Sequence, residues 1–103
     1  MATSDSHLVP GEANGTQIND LGATTASSVQ NVGKNYKFAI VATQAVTIRF
    51  GTTDAVTDPN AASFLLPANV PTTWDTGETY SAFKVFNTAG TVTDIHYIRL
   101  SHF

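Results

Sequence analysis

The sequence predicts an all-β fold: a small antiparallel β-sandwich of six or seven strands with an extended N-terminal arm. Three observations lead there. Residues 36–42 and 46–50 alternate strictly, with Tyr36, Phe38, Ile40 and Ala42 on one face and Val46, Ile48 and Phe50 spaced by Thr47 and Arg49. Residues 80–86 and 92–100 repeat that alternation around Asn87 and Gly90. Charged residues make up only 13% of the chain, against about a quarter in ordinary soluble domains, and Thr, Val, Ile, Phe and Tyr supply a strand-forming alphabet.

In chain order, residues 1–23 are rich in Ser, Thr, Asn, Asp and Gly, with Leu8, Val9, Ile18 and Leu21 as apolar points. They are expected to form an arm without its own core, flexible or extended, whose apolar residues act as pegs on a neighbouring subunit. Asn19 and Asp20 are suited to cap one helical turn, which Gly22 then ends. Residues 24–103 make up the sandwich domain. Its first strand is weakly patterned, over 24–32, and a turn at Gly33, Lys34 and Asn35 closes it.

Two β-hairpins are expected, one joining 36–42 to 46–50 and one joining 80–86 to 92–100, with Gly90 supplying a left-handed turn residue. Between them, residues 63–66 form an edge strand stopped by Pro67, and residues 72–75 a further one stopped by Gly77. On the last strand Ile95 and Tyr97 oppose a face bearing Val92, Asp94, His96, Ile98 and Leu100. Apolar residues on both faces indicate a strand covered on both sides, by its own core and by something else.

The composition bears on function. A net charge of −3 and five dispersed basic residues argue against nucleic acid as a partner. Without cysteine there is no disulfide, thiolate metal site or cysteine nucleophile. No apolar run reaches the length of a membrane span and the first residues carry no secretory leader pattern, so a soluble product made in a cytoplasm is expected. No hydrolase, zinc-protease or phosphate-loop motif is present, and the chain is not expected to be an enzyme or to hold a cofactor or metal.

Some residues admit two readings. Asp94 and His96 share a strand face and can hydrogen-bond, as a polar pair on a patch or as an acid/base dyad. Asp54, Asp58 and Asn60 are calcium-accepting types but lack the spacing of a calcium loop, so an Asx turn is the reading that needs least. Trp74 with Tyr80 is either a sugar-stacking platform or a core plug or interface anchor.

Arg49, Phe50, Gly51 and Thr52, then Leu66, Pro67, Ala68, Asn69, Val70 and Pro71, then Ala89, Gly90, Thr91 and Val92, stand in an order that resembles the small virion proteins of tailed bacteriophages, most closely the head decoration, or cement, proteins. The resemblance covers residues 36–100. It implies a β-sandwich, commonly a homotrimer, that sits on the outer capsid surface of the virion, contacts the major capsid protein and bridges capsomers. The contact surface expected with it comprises Leu8, Val9, Ile18, Leu21, Leu66, Pro67, Val70, Pro71 and Trp74.

Overall fold

The computed structural model describes residues 8–53, 56–60 and 62–102, with the backbone alone for Leu8, Val9 and His102. Nine strands form among them: β1 (Leu8–Pro10), β2 (Thr16–Leu21), β3 (Gln30–Asn31), β4 (Lys37–Ala42), β5 (Val46–Gly51), β6 (Phe64–Leu66), β7 (Thr72–Asp75), β8 (Ala82–Asn87) and β9 (Thr93–His102). They build two antiparallel sheets that face each other. One is ordered β1-β9-β4-β7 with β2 also on β9, and the other β3-β8-β5-β6. The all-β sandwich is therefore present, but with more strands than the six or seven expected.

The additional strands are the expected arm. β1 pairs with the far end of β9, Leu8 opposite His102, and β2 with its near end, Gln17 opposite His96, so the two share one edge row. Ile18 and Leu21 pack, partly buried, against the chain's own core. The reason is backbone chemistry: without this row, one whole edge of β9 would present unpaired N–H and C=O groups. Side-chain anchors reinforce it, since the Glu12 carboxylate accepts the Arg99 N–H at 2.9 Å and the Asp94 carboxylate accepts the Asp20 N–H at 2.8 Å. Asp94 is thus bonded to Asp20 across the sheet. A bulge with Asp20 at φ 57° stands where a helical turn was expected. Residues 1–7 of the arm lie outside the described residues.

Neither expected hairpin forms. β4 belongs to one sheet and β5 to the other, and the same is true of β8 and β9. Each short connection arches across the core, so that Phe38, Ile40 and Ala42 face Val46, Ile48 and Phe83 across the interior. Alternation reveals an apolar face but not which strand lies beside which. Two strands whose apolar faces meet across the core satisfy that pattern as well as two strands side by side.

The two arches meet at one end of the molecule and are braced there by buried polar side chains. Thr93 Oγ1 accepts the Gln44 N–H at 3.0 Å and sits 3.3 Å from Thr43 Oγ1. Asn87 is fully buried, and its amide donates to the carbonyls of Leu21, Gly22 and Thr91 while accepting the Ala89 N–H. Asn87 therefore does the work assigned to a left-handed Gly90, whose φ is not positive. The left-handed glycines are Gly33 and Gly77, which close the turns after β3 and β7.

The core centres on aromatic rings from both sheets. Phe38 and Phe83 stack with centroids 5.1 Å apart, and the Tyr97 ring stands edge-on to both. Tyr97 also donates its hydroxyl to Gln30 at 2.8 Å, tying β9 to β3 across the sandwich. Residues 56–60 fold back over the outer face of the β3-β8-β5-β6 sheet. There Val56 and Pro59 are buried, Thr47 Oγ1 donates to the Asn60 carbonyl at 2.8 Å, and Asp58 pairs with Lys84 at 2.7 Å. This is the segment whose carboxylates suggested calcium. Its Asp58 is engaged with a lysine, its Asn60 forms an Asx turn to the Ala62 N–H, and Asp54 lies outside the described residues.

Candidate functional site

The outer faces of the two sheets differ. One is crossed by residues 56–60, whereas among the described residues no such segment crosses the face of the β9-β4-β7 sheet. Ala39, Val41, His96 and Ile98 floor a shallow trough of about 300 Å³ there, edged by Pro71 and by the turn at Gly15. Of the two-sided cover expected on β9, the core supplies one side, through Ile95 and Tyr97.

A second concavity, larger at about 560 Å³, opens at the edge where β6 and β7 face each other. Local chemistry creates it. Asn60 and Ser63 form a reciprocal turn, with the Ser63 N–H donating to the Asn60 carbonyl at 3.0 Å and the Asn60 N–H to Ser63 Oγ at 3.2 Å. That turn ends the β5–β6 ladder at Ile48 opposite Phe64, while β5 continues to Gly51. Val85 spends its N–H and carbonyl on Ser27, so the bonds from β5 to β8 fall on Thr47, Arg49 and Gly51. Alternation then points the N–H and C=O of Phe50 toward the β6 side, beyond the end of β6. The result is a notch with a strand edge on its floor.

Four aromatic rings line this notch. Trp74 lies 5.4 Å from Phe50 and 5.4 Å from Phe64, the latter at 89° between planes, and Tyr80 lies 6.3 Å from Phe50. Through Phe50 the cluster continues to Phe38 and Phe83 in the core, so the notch rests on packed rings. Phe64 is 63% exposed and Tyr80 45%, while Trp74 is half-buried. The Trp74 Nε1–H is buried without a hydrogen-bond partner among the described residues. Ser63 stands at the notch wall, and Arg49 borders it from the outer sheet face that also carries Thr47 and Lys84.

The residues picked out from sequence fall into three groups. Trp74 and Tyr80 do come together, on either side of Phe50. Pro67, Val70 and Pro71 are exposed on the connection between β6 and β7. Leu66 does not belong with them: it is 3% exposed and faces Val46 inside the core, because it is one step out of phase with Leu65. Ile18 and Leu21 are on the far edge, and the side chains of Leu8 and Val9 lie outside what is described. Phe50, Phe64, Leu65 and Arg49 were missed as site residues. The available signal was Phe64 and Leu65 opening an edge strand directly after a turn, where an apolar side chain has no sheet to cover it.

No group of three or more metal-ligating side chains occurs among the described residues. Comparison of the chain with protein-family models, with curated proteins and with solved structures found no match.

Proposed function

We propose that the chain is a structural virion protein of a tailed phage, a capsid decoration protein that binds the outer head surface and stabilises the shell by bridging capsomers. The observation that supports this most is the apolar rim of β6, β7 and their connection, where Phe64, Leu65 and Val70 are each about half exposed or more. Leu65 and Val70 lie within or beside the stretch carrying the resemblance to cement proteins. Pro67 and Pro71 lack a donor N–H, so this rim meets a partner through side chains and not by extending a sheet. A surface this poor in charge is suited to burial, since few ions need desolvating. The partners are the major capsid protein and two further copies of the chain, with many shallow contacts acting together.

The test is physical. Light scattering after size exclusion should give about 33 kDa, three times the 10.9 kDa chain. Purified heads of the phage encoding the chain should carry it through cosedimentation, and Leu65→Asp and Val70→Asp should release it while leaving the melting temperature within a few degrees. Intact chain that stays in the supernatant at saturating concentration would overturn the proposal.

A further inference from the structure

We infer that the aromatic notch is a saccharide site that holds one pyranose ring. This does not depend on the chain being a virion protein. The ligand class follows from what the notch combines. Phe64 stands edge-on to the half-buried Trp74 and Tyr80 lies beyond Phe50 on the other side, and their exposed ring surface offers the C–H face of a sugar the polarised aromatic surface it packs on. An apolar peptide side chain would fit the rings equally well, so the polar wall decides. That wall is made by Ser63 and by the backbone of Phe50. The Ser63 hydroxyl oxygen accepts the Asn60 N–H and keeps its own proton to donate. The Phe50 N–H and C=O point to the same side, past the end of β6.

A purely apolar occupant would cover these donors and acceptors without replacing their water, at about 1–3 kcal/mol for each group. A ring edged with hydroxyls satisfies them. Few, convergent polar groups around an apolar wall are the usual composition of a small-ligand site, and the concavity of about 560 Å³ lies in the size range of such sites. Its open side leaves room for the sugar to be one unit of a longer chain.

Trp74 is the sole tryptophan and therefore reports on its own site. Emission of the full chain is to be titrated with glucose, galactose, mannose, N-acetylglucosamine and their short oligomers, with saturation-transfer NMR as a readout independent of fluorescence. At least one sugar should give a saturable change with a midpoint of about 1–10 mM, the affinity of a few contacts on a shallow site. Tyr80→Ala and Phe64→Ala should each weaken that sugar about three- to tenfold. Tyr80→Phe should retain it, and near-ultraviolet circular dichroism checks that each variant is folded. The inference is overturned if no sugar saturates by about 100 mM. It is equally overturned if binding is unchanged in both folded alanine variants, or if an acetyl-Phe-containing tripeptide shifts the emission and the sugars do not.

Discussion

Asn87 shows how much of this molecule hangs on single polar side chains. It is completely buried and its amide is used at both ends, so it joins the arch after β8 to the end of β2. Replacing it with Leu keeps the volume and orphans the Leu21 and Thr91 carbonyls and the Ala89 N–H. Urea unfolding of Asn87→Leu should show a loss of about 3–5 kcal/mol, since each orphaned buried group costs about 1–3 kcal/mol. Trp74 gives the opposite case. Its Nε1–H has no partner among the described residues, so Trp74→Phe should change stability by less than about 1 kcal/mol, whereas Trp74→Ala should remove about 2–3 kcal/mol of ring packing. Tyr97 adds a pH dependence. Burial raises its phenol pKa above the ordinary value near 10, so the folded state holds the proton more tightly than the unfolded chain does. Its contribution is complete below about pH 10 and is lost as pH rises from there toward the raised folded value. Melting temperatures across alkaline pH should show that fall in the native chain and a shallower one in Tyr97→Phe.

Among the elements, the edge row of β1 and β2 is the most exposed to small changes. At Gly15 the backbone approaches β9 so closely that an added Cβ would stand 2.6 Å from the Tyr97 carbonyl oxygen. Gly15→Ala should push β2 away from β9 and cost about 1–3 kcal/mol. Hydrogen exchange should speed up selectively at residues 16–21, while protection in β4 and β5 changes little. This row is also where reading the sequence fell short. Thr16–Leu21 carries just two inward apolar residues, Ile18 and Leu21, because an edge strand on one side of a thin sheet needs no more. Polar composition at that position looks the same whether the strand is paired or free. Individual strands were legible: β4, β6 and β7 begin and end within a residue of the ranges expected for them. Their partners were not, since side-chain period two fixes a face and leaves the neighbour to tertiary geometry. The notch was half legible. Trp74 and Tyr80 are rare aromatic residues and announce themselves, whereas Phe50 and Arg49 are brought to it only by the place where β6 stops.

At the scale of the whole molecule, the topology sets the kinetics. Among the described strands only β5 and β6 are sequence neighbours that pair, and the other connections either cross between sheets or run along one edge. Almost every ladder therefore needs distant segments to meet first, and the entropy of closing those loops precedes any gain. Stopped-flow refolding should give a main phase of roughly 1–100 s⁻¹, in the range of sandwiches with non-local pairing. A main phase above about 10⁴ s⁻¹ would be incompatible with this strand order.

The pairing of Leu8 with His102 has a use of its own. Leu8 lies on the β1 edge of the β1-β9-β4-β7 sheet with His102 beside it on β9, and the notch and the rim lie along β7 at the other edge. The Leu8–His102 pair and the notch are thus separated by the width of a sheet. A bulky label carried on β1 would therefore leave access to the notch unchanged, at the opposite edge of the same sheet.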